Sequence, residues 1–349
     1  MMSQYLKGMF TPMTMQLMTA FLLAFLTAVL VGRFYVPWLR KIKAGQAIRE
    51  EGPKWHMSKS GTPTMGGIIF IAGVTVACLT VGFQPMLEGD YGHILVLLFA
   101  AIYGVIGFLD DYEKLKKKQN LGLTAKQKFL LQLAVAIAFI FLLRRLGYLK
   151  PELYIPFWNI TIQIPAPLYF VFAAFVIVGC VNAVNLTDGV DGLCTGTSIP
   201  VFLCYSAIGF LWGTEYAGLS IFAAGLAGGL LGFLVYNFNP AQCFMGDTGS
   251  LFLGGAVCAM AFAMDMPLIL IPLGFLYIIE TLSDIIQVTY FKLSHGKRVF
   301  KMAPFHHHLE MGGWSGKKWS ERELFVLFTG ISALCAVISF VGVMDRFAA

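Results

Sequence analysis

HILVLLFAAIYGVIGFLDDYEKLKKK occupies residues 93–118. Its first 17 residues hold no carboxylate, lysine or arginine, and then come Asp110, Asp111, Tyr112 and four lysines. An apolar run ending in such a charged cluster reads as a membrane span that stops at the water interface. A perpendicular helix needs ~20 such residues, so the ends carry a margin of a few positions. Outward from this block, similar runs lie at 15–36, 65–83, 129–143, 168–184, 193–212, 216–236, 250–264, 267–291 and 324–343, ten in all. Of 349 residues, 58% are hydrophobic and only 13% charged, about half the charged share of a soluble domain. The chain therefore reads as an all-α, polytopic integral membrane protein of about ten transmembrane helices, with 1–349 forming one catalytic domain. Run 267–291 carries Glu280 and Asp284, which suggests a helix that leaves the bilayer partway along.

Charge sets the orientation. Connections 40–59, 114–128 and 292–322 hold 19 of the 25 lysines and arginines. All three are odd-numbered connections on one face, and the positive-inside rule makes that face cytoplasmic. Lys7, Arg144, Arg145, Lys150 and Arg346 fall opposite, and an even number of spans puts both termini outside the cytoplasm. No signal peptide with a small-residue cleavage site is evident, so run 15–36 is expected to be a retained span. The seven cysteines form no CxxC pair and mostly lie inside apolar runs, as small buried hydrophobes do.

The cytoplasmic connections carry more than topology signals need. Asp110 and Asp111 repel each other and lose hydration at a membrane surface. They imply a bound cation or surrounding lysines, and a solvated helix end with counterions is the plain alternative. Residues 182–192 read NAVNLTDGVDG. Asp188 and Asp191, three apart, would share a helix face, and the glycines let backbone approach a ligand. Residues 237–250 read NFNPAQCFMGDTGS. Asp247 just before a span suits a hard metal ligand at a helix N-terminus, whose free N–H groups also favour phosphate. Phe244 has a ring able to stack on a nucleobase, although such a residue also serves as a lipid anchor. His306, His307 and His308 fan out by about 100° each on a helix, which is not zinc spacing. They suit a phosphate, a sugar or a polar cap. Lys59 precedes a Gly/Thr stretch through Thr64 to Gly67 that can cradle an anion.

Together the five connections hold five aspartates, a histidine run and most of the lysines. Carboxylates imply a divalent cation, and the surrounding positive charge implies a polyanionic substrate. Magnesium takes one or two protein carboxylates plus substrate phosphates, so a nucleotide diphosphate fits better than a bare ion.

On Asp110-Asp111-Tyr112, 182–192, 244–250 and 303–310, the chain resembles the polyprenyl-phosphate N-acetylhexosamine-1-phosphate transferases. Within them it is similar to the phospho-N-acetylmuramoyl-pentapeptide transferase branch, which the triple-histidine form separates from relatives using N-acetylglucosamine. The resemblance implies transfer of phospho-N-acetylmuramoyl-pentapeptide from its UDP carrier to undecaprenyl phosphate, giving lipid I and UMP in peptidoglycan biosynthesis. It implies Mg2+ as cofactor with Asp247 as the metal ligand, Asp110 and Asp111 at the reacting phosphates, and Asp110 as candidate base. His306 joins these as a catalytic candidate, with His307 and His308 on the sugar-phosphate side. Lys59, Lys114, Lys118 and Lys126 are implied at phosphates, Asp191 and Asn237 near uridine, and Phe244 on uracil. Thr64, Asn185, Asp188, Gly189, Gly246 and Ser250 complete the expected substrate-binding set. A homodimer in the bacterial cytoplasmic membrane is implied, with its active site facing the cytoplasm and no nucleic acid partner. Val190, Cys243 and Asp284 depart from the usual pattern.

Two alternatives remain distinct. A related UDP-N-acetylglucosamine transferase shares the aspartates but not the histidine run. An ion-coupled transporter would place ionisable residues near the midplane of paired halves, and only Glu280 and Asp284 fit that pattern.

Overall fold

The computed structural model describes residues 12–42, 44, 59, 61–117, 119 and 122–347. Lys118 lies outside these. Ten principal helices run in chain order: α1 (Pro12–Lys41), α2 (Gly67–Thr80), α3 (Gly92–Lys117), α4 (Ala125–Arg145) and α5 (Ala166–Thr187). They continue as α6 (Leu193–Trp212), α7 (Ala217–Asn237), α8 (Gly246–Ala263), α9 (Phe275–Leu293) and α10 (Glu321–Val343). Helices are the natural element here, because each backbone N–H and C=O finds its partner within its own segment and none faces lipid unpaired.

Each of the ten apolar runs has its helix, and eight of these are long and apolar enough to cross a bilayer unaided. The two exceptions have physical causes. Helix α2 has 14 residues, about 21 Å at 1.5 Å per residue, less than the ~30 Å hydrocarbon layer. It is packed against α1 and α7 and need not span alone. The ninth run is broken: Pro267–Leu273 meets α9 at an 80° bend. The break falls at Gly274, two residues after Pro272, where proline removes a backbone donor and glycine tolerates the turn.

Burial divides the helices into an inner and an outer set. Helix α8 is almost wholly buried, whereas α1 is largely exposed. Helix α8 packs on α3 and α5, α7 packs on α1 and α6, and α10 closes against α6. The outer helices present Leu22, Leu26, Leu30 and Phe34 of α1, and Val326, Leu334 and Val337 of α10, outward. In water such a surface would drive association; in lipid it is matched to its solvent.

Helix α9 is turned the other way. Its buried side carries Glu280, Ser283 and Gln287, while Leu282, Ile285, Ile286 and Val288 are exposed. Between α4 and α5, β1 (Glu152–Ile155) pairs antiparallel with β2 (Ile160–Gln163). The hairpin tip is fastened to the end of α10, where the Phe157 N–H donates to the Gly342 carbonyl at 2.7 Å.

Candidate functional site

Helix α8 begins at Gly246, so Asp247 lies in its first turn. Its start is held from another helix. Asp111, near the end of α3, accepts from the Asp247 N–H at 3.2 Å, the Thr248 N–H at 2.9 Å and the Thr248 hydroxyl at 2.7 Å. A carboxylate satisfying the first N–H groups is an N-cap supplied in trans. This corrects one expectation. The Asp247 and Thr248 amides are already taken by a side-chain anion and do not stand free for a phosphate. Helices α3 and α8 come this close because position 107 is glycine: a Cβ there would strike the Asp247 carbonyl.

Asp247 is the meeting point. Its Oδ2 accepts from Lys114 Nζ at 2.7 Å and Lys128 Nζ at 2.8 Å, and its Oδ1 accepts from Asn185 Nδ2 at 2.6 Å. Lys114 also lies 2.6 Å from Asp110 Oδ2 and 3.9 Å from Asp111 Oδ1. The other Asp110 oxygen accepts the Leu123 N–H at 2.8 Å. Asn185 donates in addition to Ser250 Oγ at 2.7 Å. Carboxylate oxygens of Asp110, Asp111 and Asp247 all lie within 4.8 Å of one another. Three carboxylates against two ammonium groups leave the cluster with a deficit of positive charge, and hard oxygen donors at this spacing suit Mg2+.

The turn after α5 splits its two aspartates. Residues 188–192 form a turn rather than a helical extension, so Asp188 and Asp191 do not share a helix face as their spacing suggested. Gly192, with φ of 74°, opens α6 in a left-handed conformation. Burial, reinforced by the nearby Asp247, Asp111 and Asp191 carboxylates, pushes Asp188 up to about 8. Asp191 faces elsewhere: its Oδ1 is 2.6 Å from Lys59 Nζ, and its Oδ2 accepts from Asn239 Nδ2 at 3.1 Å and the Ala241 N–H at 2.9 Å. Lys59 also reaches Glu321 Oε2 at 2.6 Å, and that oxygen accepts the Asp191 N–H at 3.0 Å.

The remaining expected residues take varied places. Thr64 is buried with its hydroxyl unpaired, beside Gly246 and the Asp111 carboxylate. The backbone of Phe244 ties two connections together, donating to Pro63 O and accepting from the Gly66 N–H, each at 2.8 Å. Asn237 is buried and spends its amide internally, accepting from Thr195 Oγ1 at 2.7 Å and donating to the Cys243 carbonyl at 3.0 Å. Short helix Phe305–Glu310 fans out its histidines. His306 is fully buried, 2.8 Å from Glu280. His307 lies 2.6 Å from Glu310. His308 accepts the Lys301 N–H at 3.1 Å and packs on Trp314 and Phe300. Burial and the Lys301 charge hold the His308 imidazole below its usual range.

Two functional-looking residues, Lys128 and Glu321, escaped the sequence, and a third, Glu280, was seen without its partner. Lys126 is exposed, and Lys128 takes the place at Asp247. Two positions apart on a helix are about 200° around, so only one can face inward. The buried residues Gln132, Ala136, Phe139, Ile140 and Leu143 continue the Lys128 face, and that periodicity was a usable signal. Glu321 sits in the first turn of α10 after the Ser320 capping box, where an acid is expected for helix reasons alone. Glu280 was visible only as an acid inside an apolar run.

The five connections thus meet at one end of the bundle, joined by Lys59–Asp191, Lys114–Asp247, Lys128–Asp247, Asn185–Asp247 and Lys59–Glu321. Known proteins are similar to the chain over nearly its whole length. Residues 93–265 match the family described as glycosyl transferase family 4, and residues 59–71 match phospho-N-acetylmuramoyl-pentapeptide-transferase signature 1. The phospho-N-acetylmuramoyl-pentapeptide-transferase of Listeria monocytogenes serotype 4b is 44% identical over 325 residues, covering 93% of this chain and 97% of its own. That of Halalkalibacterium halodurans is 45% identical over 323 residues, with 93% and 96% covered. That of Bacillus cytotoxicus is 46% identical over 322 residues, with 92% and 96% covered. With identity of this order over nearly the whole of both chains, the chain belongs to the phospho-N-acetylmuramoyl-pentapeptide transferases.

Proposed function

We propose that the chain transfers phospho-N-acetylmuramoyl-pentapeptide from UDP-N-acetylmuramoyl-pentapeptide to undecaprenyl phosphate, releasing UMP and leaving lipid I in the membrane. The observation that carries this reading is the convergence of Lys114, Lys128 and Asn185 on Asp247, with Asp110 and Asp111 alongside. A cluster of acids and lysines at the end of a lipid-facing bundle suits a reaction between a soluble diphosphate and a membrane-bound phosphate. The basic connections support a cytoplasmic site in the bacterial cell membrane, and the ten helices act as a single catalytic domain. By resemblance the enzyme works as a homodimer.

Asp247 would hold Mg2+, with Asp110 and Asp111 close enough to share it. When bound, magnesium supplies charge neutralisation for the diphosphate. The chain's own groups do the rest. Lys114 and Lys128, which lie at Asp247, would contact the diphosphate. Lys59 and Asp191 face the nucleotide end together with Asn237 and Phe244. His306 and the Asp188 turn approach the sugar phosphate, flanked by Thr64, Gly189, Gly246 and Ser250; His307 extends that side.

Transfer is direct. An oxygen of the lipid phosphate forms a bond to the sugar-bearing phosphorus. The bond from that phosphorus to the bridging oxygen breaks, and UMP leaves with the electron pair. A phosphate monoester has a second pKa near ~6, so the lipid phosphate is mostly dianionic at neutral pH and needs little help from a base. Asp110 orients this head group or takes its residual proton. Positioning, rather than a covalent enzyme intermediate, is what the site contributes.

The test is a donor panel. Purified protein in vesicles containing undecaprenyl phosphate and Mg2+ is given UDP-N-acetylmuramoyl-pentapeptide or UDP-N-acetylglucosamine. UMP release with the muramoyl donor alone is the expected result. Release with the glucosamine donor alone would move the chain to the neighbouring sugar branch, and release with neither would overturn the transferase reading.

A further inference from the structure

Glu280 projects from the second turn of α9 into the bundle, and both it and His306 are fully buried. The Nδ1 of His306 lies 2.8 Å from Glu280 Oε2, and the His306 backbone N–H points at the same oxygen at 3.5 Å. An oxygen facing a backbone donor acts as an acceptor, so a proton belongs on Nδ1, and in the neutral ring that leaves the lone pair on Nε2. That Nε2 is buried with no hydrogen-bond partner. It lies directly against Gly189, where an added Cβ would collide with His306 Nε2 and Cε1. Gly189 follows Asp188 in the turn beside Asp247, so the lone pair is aimed at the turn that borders the metal-binding cluster.

We propose that Glu280 is a positioning residue: it fixes the tautomer and orientation of His306, presenting Nε2 as an acceptor to the 188–191 turn and to a hydroxyl or amide donor of the sugar held there. The inference rests on the reading of His306 as part of the transferase site, and deepens it. A purely structural latch between α9 and the histidine segment does not require a charge. Gln287, two turns along the same face, already provides one: its amide donates to Phe300 O at 3.1 Å and accepts the Val299 and Phe300 N–H groups at 3.1 and 3.0 Å. A carboxylate is costly to bury beside a neutral partner, and what it adds over an amide is a fixed direction for the imidazole proton. Gly189 is the matching half of the device, since any side chain there would push the ring away.

The experiment is a double-mutant cycle with a spectroscopic readout. In E280Q the amide can donate to Nδ1 and permits the opposite tautomer. It should lower kcat by about 10- to 100-fold, the range seen when the partner orienting a functional histidine is removed. KM for the UDP-linked donor should stay within about twofold, because the interaction acts in turnover rather than in uniform binding. In the H306A background the same substitution should change the residual rate by no more than about twofold, since residues acting through one another do not add. In 15N-histidine-labelled protein, the resonance missing from H306A should report a protonated Nδ1 and a bare Nε2, and E280Q should shift it.

A protonated Nε2 in the wild type, or an equal loss from E280Q in both backgrounds, would overturn the proposal. If E280Q does not fold, the wild-type tautomer alone decides. Full activity in H306A would remove His306 from the site, which is a failure of the functional reading. Inactive H306A beside a fully active E280Q would sink the role of Glu280 alone.

Discussion

Two ammonium groups meet at one oxygen of Asp247, from Lys114 at 2.7 Å and Lys128 at 2.8 Å. Neighbouring carboxylates in a low-dielectric site repel strongly unless cations lie among them, so these lysines hold the aspartates together until other partners arrive. The pairing predicts a sharp contrast between two lysines of one helix. K128A should lower turnover by about 100-fold, the usual cost of losing a donor aimed at developing charge. K126A, on the exposed side of α4, should stay within about twofold, as a solvated surface charge does. Steady-state UMP release measures both, and equal losses would refute the assignment. At this scale the sequence was legible wherever a residue sat in a compact motif, as for Asp110, Asp111, Asp247 and Asn185. It was mute where the partner came from a distant helix: nothing local to Glu321 or Glu280 announces Lys59 or His306.

Elements bring those residues into register through a few close approaches. Helices α3 and α8 touch where Gly107 faces the Asp247 carbonyl and Asp111 caps the start of α8. In G107A a methyl group would have to fit where backbone already lies. Overpacking of this kind costs about 1–3 kcal/mol, and here the strain falls on the turn that positions Asp247. The expected outcome is a lower Tm in detergent together with lower kcat. A variant with unchanged Tm and rate would mean that the helices are free to part. Helix positions were readable because an apolar run bounded by charge has little freedom in a bilayer. The bend at Gly274 and the turn at 188–192 were harder to read. The first depends on where one glycine and Pro272 fall inside a continuous apolar run. The second is a local turn, whereas the three-residue spacing of Asp188 and Asp191 imitates a helix.

Among the described residues the bundle is apolar both in its core and on its outer helices, and the acids and lysines of the site gather at the end where five connections meet. Charge segregation along the sequence foretold that end, because the basic residues that orient the bundle also supply the lysines for its anions. The length of α2 came only with the packing, since it is decided by neighbours rather than by composition, whereas the polar face of α9 was announced by the spacing of Glu280, Ser283 and Gln287. All the roles above depend on Asp247 acting as a metal-binding carboxylate rather than as a counterion for two lysines. The most direct test is the D247N protein, which keeps the shape of the side chain and loses one anionic oxygen. It is reconstituted with undecaprenyl phosphate and UDP-N-acetylmuramoyl-pentapeptide at saturating Mg2+, alongside Mg2+ titration by calorimetry. The account predicts a folded protein with Mg2+ binding abolished and UMP release down about 1,000-fold. Near-native turnover and Mg2+ affinity in D247N would contradict it.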